Sequence, residues 1–132
     1  MNQPPVILVL VVDDEAAFRE IFSAKLAAAG FKVETASGGA EGLKKAKEIK
    51  PDLILMDVRM PDMDGVEALT RLQADPTTKG AKVVFLTNIG EPRPQAADVD
   101  AHLSTQIGAM GYIRKTDDLD EIIKKIKGYL DK

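Results

Sequence analysis

The sequence predicts an α/β fold: a doubly wound, five-stranded parallel sheet with helices on both faces. Short apolar runs alternate with stretches whose apolar residues recur at helical spacing. The runs are apolar at consecutive positions, as strands buried on both faces are. Strands alternating with helices imply a covered parallel sheet, and right-handed crossovers leave few topologies.

The first run, Val6 to Val12, is followed by Phe18, Ile21, Phe22 and Leu26 on one predicted helix face, with Gly30 at the expected C-terminal cap. Lys32 to Ala36 reads as a weaker strand. Ser37 is expected to open a helix carrying Ala40, Leu43, Ala46 and Ile49, stopped at Pro51. Leu53 to Met56 is a buried strand running into Asp57. After a loop, Asp64 is the expected N-cap of a helix, with Glu67 placed for a capping box and Val66, Leu69 and Leu72 inward. Val83 to Leu86 is the fourth strand, ending at Thr87 and Asn88. Past a loop at Gly90 to Pro94, a helix is expected with Ala96, Val99, Leu103, Ile107 and Met110 on its apolar side. Tyr112 and Ile113 form the last strand, and Thr116 is expected to cap a final helix bearing Leu119, Ile122, Ile123, Ile126 and Leu130.

Bulk properties narrow the function. The 132 residues suit one domain, so residues 1–132 are expected to fold as a single unit. A net charge of −3 without a dominant basic stripe argues against direct nucleic-acid binding. With no cysteine, disulfides and thiolate metal sites are excluded. Val6 to Val12 is far short of the roughly 20 residues that span a bilayer, and the N-terminus lacks the basic start of a signal peptide. A cytoplasmic location, without membrane partners, is the expectation.

The chemistry gathers at the strand ends. In an open α/β sheet, ligands bind outside the carboxyl ends of the strands. There lie Asp13 and Asp14, Asp57, Thr87 and, after the last strand, Lys115. Clustered carboxylates repel one another unless a hard cation neutralises them, so the set suggests phosphoryl transfer with Mg²⁺.

Val11-Val12-Asp13-Asp14-Glu15, Leu55 to Gly65 around Asp57, Leu86-Thr87 and Gly111 to Lys115 together resemble response-regulator receiver domains, over essentially the whole chain. The resemblance implies the strand order 2-1-3-4-5 and a set of roles. Asp57 would accept a phosphoryl group from a histidine kinase or a histidine phosphotransfer protein. Asp14, Asp57 and the backbone carbonyl of Arg59 would hold Mg²⁺, with Asp13 acting mostly through a bound water. Lys115 and Thr87 would meet phosphoryl oxygens. Thr87 would then move inward and Tyr112 rotate into the vacated space, altering a protein-binding face built from the fourth predicted helix, the fifth strand and the fifth predicted helix. Three departures from the family pattern stand out: Thr116 replaces a usual proline, Asn88 follows Thr87, and the segment from Thr87 to Lys115 is longer.

Two other motifs carry less weight. Asp62-Met63-Asp64-Gly65-Val66 matches the DxDG signature of haloacid-dehalogenase phosphatases, but it lies beyond the strand end. Gly38 to Gly42 lacks the Gly-Lys-Ser/Thr of a P-loop. The leading expectation is therefore a stand-alone receiver, not an enzyme acting on external substrates. A phosphorelay intermediate or a receiver from a larger multidomain regulator are the alternatives.

Overall fold

The computed structural model describes residues 6–87 and 108–131. In chain order these form β1 (Leu8–Val12), α1 (Ala16–Ala28), β2 (Lys32–Ala36), α2 (Gly39–Ile49), β3 (Leu53–Asp57), α3 (Gly65–Ala74), β4 (Lys82–Thr87), β5 (Gly111–Arg114) and α4 (Leu119–Leu130). The strands pair in parallel in the order β2-β1-β3-β4-β5, as expected. The predicted helix carrying Ala96, Val99, Leu103 and Ile107, the preceding loop and Asn88 lie outside the described residues.

Alternate residues of each strand serve opposite faces. Leu10, Val12, Ile54, Met56, Val83 and Phe85 pack with Ala46, Ala68, Leu69 and Leu72 of α2 and α3. Val9, Val11, Leu53, Leu55, Val84, Leu86 and Ile113 pack with Phe22, Leu26, Ile122 and Ile126 of α1 and α4. Every residue of β3 is buried, which explains its unbroken apolar run. The edge strand β2 keeps Lys32 exposed, which explains its weaker pattern.

Local chemistry sets the element ends, and it departs from expectation at five places. β1 starts at Leu8, leaving Val6 exposed. Ile21 also stays exposed, because α1 buries only Phe22 and Leu26 fully. The N-cap of α2 is Gly38 and not Ser37, whose backbone N–H and hydroxyl both donate to Glu41 Oε1. The carboxylate of distant Asp62 accepts from Gly39 N at 3.0 Å and Ala40 N at 2.9 Å, satisfying donors at that helix start. Likewise Asp118, not Thr116, caps α4 by accepting from Asp120 N and Glu121 N. Met110 is not helical: Gly108 has φ +103°, and Met110 N–H donates to Val83 O at 2.8 Å, leading into β5. Asp64 does cap α3, accepting from Glu67 N at 2.7 Å.

Gly65 is where α3 comes closest to the strand end. A Cβ there would lie 2.7 Å from the carbonyl oxygen of Asp57 and 3.0 Å from Val58 Cα. Both are backbone atoms that cannot rotate away. Gly65→Ala is therefore expected to cost about 1–3 kcal/mol, the usual range for overpacking. Urea melts check this, and an unchanged midpoint would contradict it.

Candidate functional site

Parallel pairing brings the carboxyl ends of the strands to one rim. Val12 pairs with Met56, Asp57 with Leu86, and Thr87 with Arg114. Asp13 and Lys115 each follow a paired residue directly, and Lys115 N–H donates to Thr87 O at 2.8 Å. Residues far apart in sequence thus become neighbours through register alone.

Asp13, Asp14 and Asp57 each bring one carboxylate oxygen within 4.8 Å of the others. Asp13 is fully buried, Asp57 nearly so, and Asp14 is exposed. The ammonium of Lys115 lies 2.7 Å from Asp13 Oδ2, 3.1 Å from Asp57 Oδ2 and 2.7 Å from Glu15 Oε1. It also lies 4.9 Å from the ring centroid of Phe18, which stacks on Phe22. The bond before Thr116 is trans, and Lys115 reaches Asp57 without the usual proline.

The backbone holds the acids in place. Asp13 Oδ1 accepts from Glu15 N–H at 2.8 Å, and Arg19 Nη1 donates to the Asp13 carbonyl at 2.7 Å. Asp57 Oδ1 accepts a longer bond, 3.3 Å, from Arg59 N–H. Thr87 is buried at the rim, and its hydroxyl has no hydrogen-bond partner among the described residues. Such a group is a donor in waiting. Tyr112 is half-buried against the α2 and α3 side of the core. Beside the acids, Asp14, Arg59, Met60, Pro61 and Asp64 line an open cavity of ≈ 360 Å³.

Electrostatics show what this arrangement lacks. Burial, and then the charge of Asp13, push the Asp57 carboxyl up to about 7, against the pull of Lys115. Burial also raises the pKa of Asp13, although Lys115 and the Glu15 amide oppose it. Burial works against the charge on Lys115 too, but the carboxylates around it prevail and raise its pKa. One ammonium does not balance the clustered acids. The donors are all hard oxygens, two of them on buried carboxyls driven towards protonation, and such a set suits a hard divalent cation.

All the predicted site residues except Tyr112 come together at this rim. Sequence reasoning assigns no place at the site to Glu15, Phe18, Arg19 or the Asp62 bond to α2. Glu15 is flagged only by its place beside the aspartates. The others touch the site or its loops through contacts that spacing does not reveal.

Comparison with known proteins agrees with this geometry. The profile of the response regulator receiver domain matches residues 9–127. The chain belongs to this family. Receiver domains act in phosphorylation-activated two-component signalling and interact with histidine kinases. This receiver is 30% identical over 122 residues to the DNA-binding dual master transcriptional regulator RpaA of Synechocystis, covering 92% of the chain and 48% of RpaA. It is 34% identical over 114 residues to the regulatory protein AtoC of Escherichia coli, covering 86% of the chain and 23% of AtoC. The receiver thus spans half or less of the length of these curated relatives. Among solved structures, chemotaxis protein CheY4 of Vibrio cholerae superposes with a TM-score of 0.81 at 30% identity, covering 95% of this chain and 99% of that one. A CheY-like receiver domain protein of Methanospirillum hungatei gives 0.81 at 30% identity, covering 96% and 95%.

Proposed function

We propose that residues 1–132 form one receiver domain in which Asp57 is the phosphoacceptor. The observation that carries this is the place of Asp57: a nearly buried carboxylate at a strand tip, 3.1 Å from Lys115 Nζ and clustered with Asp13 and Asp14. A phosphohistidine of a histidine kinase or histidine phosphotransfer protein is the donor. A carboxylate oxygen of Asp57 attacks phosphorus, the new O–P bond forms, and the P–N bond breaks. The imidazole leaves and takes up a proton from solvent.

Phosphoryl transfer depends mostly on positioning and charge stabilisation. Lys115 meets one phosphoryl oxygen, and the Thr87 hydroxyl, which has no hydrogen-bond partner among the described residues, meets another. Asp14, Asp57 and the Arg59 carbonyl would hold Mg²⁺, with Asp13 acting through a bound water, and the ion would supply charge neutralisation. The inward move of Thr87 lets Tyr112 rotate, and the face that includes β5 and α4 changes its affinity for an output protein. Neither direct nucleic-acid binding nor an external phosphoester substrate belongs to this reading. Among the described residues no helix is long and apolar enough to cross a membrane, and we place the domain in the cytoplasm.

Intact-mass measurement after incubation with acetyl phosphate tests the reading. With Mg²⁺ the protein should gain one phosphoryl group, released by hydroxylamine as acyl phosphates are. With a chelator the gain should disappear. No gain in the presence of Mg²⁺ would sink the proposal.

A further inference from the structure

Glu15 stands one residue beyond the paired aspartates and belongs to none of the roles above. It occupies the N-cap of α1, yet its side chain makes no capping hydrogen bond. Its carboxylate instead crosses to the loop after β5 and meets Lys115 Nζ at 2.7 Å, a contact between residues 100 positions apart.

An ammonium has three N–H donors. On Lys115 two of these go to Glu15 Oε1 at 2.7 Å and Asp57 Oδ2 at 3.1 Å, Asp13 Oδ2 lies 2.7 Å away as an ion-pair partner, and the Phe18 ring lies 4.9 Å away. A phosphoryl oxygen arriving on Asp57 competes with these three carboxylates for the ammonium. Asp13 is fully buried, and Asp57 is itself the acceptor. Glu15 has a side chain 55% exposed, so water readily replaces its half of the pair. Of the three carboxylates, Glu15 is the one most open to solvent.

We infer that Glu15 is a positioning residue: it holds the Lys115 ammonium at rest, competes with the incoming phosphoryl oxygen, and slows phosphorylation of Asp57. The inference rests on the acceptor reading above. Neutralising Glu15 frees a donor without touching the acceptor. Glu15→Gln should then react with acetyl phosphate about two- to fivefold faster, the scale of a partly exposed ion pair.

A general electrostatic effect would also speed the reaction, since Glu15→Gln removes a negative charge near an anionic donor. A double-mutant cycle with Lys115→Met separates the two causes. The rate is read by intact mass with Mg²⁺ in four proteins: the parent chain, each single variant and the double variant. The expected result is a gain in the parent background that vanishes in the Lys115→Met background. An equal gain in both backgrounds, no change, or a slower reaction would overturn the inference while leaving the acceptor reading intact. If the parent chain itself gains no phosphoryl group, both readings fall together. A second measurement needs only the single variant. The side-chain NMR signals of Lys115, recorded without metal, should move in Glu15→Gln; signals that stay in place would also overturn the inference.

Discussion

In Asp57→Asn, acetyl phosphate with Mg²⁺ is expected to add no phosphoryl group. The carboxamide is a poor nucleophile, and it cannot offer the full negative charge that a hard cation needs. The same substitution should stabilise the metal-free fold, with a definite pH dependence. Asp57 has a pKa raised from 3.8 to about 7, chiefly by burial. The folded chain therefore keeps a proton that the unfolded chain has already lost, and stability falls as pH rises from about 4 through 7. Asparagine removes that slope. Urea melts in a chelator should show Asp57→Asn gaining on the parent between about pH 4 and 7, where linkage predicts the parent's decline, and holding that gain above it. A constant difference across this range would show that burial does not control the acid. A phosphoryl group gained by Asp57→Asn at the parent's rate would place the acceptor elsewhere.

Lys115→Met should have the largest effect on stability. Its side chain is 6% exposed and lies against Asp13 and Asp57, whose side chains are 0% and 7% exposed. Removing one partner of a buried ion pair typically costs about 3–5 kcal/mol, because the remaining charge is left uncompensated. That cost should be full at alkaline pH and smaller in acid, where protonation relieves the carboxyls. The sign follows from the carboxyl shifts. Both acids already have raised pKa values, and loss of the ammonium raises them further, so the fall in stability moves to higher pH. Mg²⁺ should recover part of the loss by replacing the missing positive charge. Thermal melts at two pH values, with and without Mg²⁺, check this. Equal melting temperatures for variant and parent at alkaline pH would mean that Lys115 does not neutralise the cluster.

The two predictions share one source. The site gathers more carboxylates than Lys115 balances, which fits the acceptor role proposed above for Asp57. Asp62 suggests how the loop after Asp57 resists that repulsion: its carboxylate ties the loop to the start of α2 through two backbone donors. Gly65 serves the same end from the other side, letting α3 approach the Asp57 carbonyl.

Much of this was legible along the chain. The strand cores, the parallel sheet, the cap at Asp64 and the rim residues Asp13, Asp14, Asp57, Thr87 and Lys115 follow from local pattern and from the rule that parallel strands end on one side. Hydrophobic periodicity and capping chemistry act over a few residues, so a sequence records them directly. Contacts across the fold carry no such record. The start of α2 depends on Asp62, more than twenty residues away, so its local serine misled. Ile21 fits a helical stripe, but the width of the buried face is decided by what packs against α1. The sequence alone determined the fold class and the inventory of reactive groups. Only the tertiary structure decided which carboxylate shares Lys115 with Asp57, because such a choice depends on ångström distances between strand tips and not on residue order.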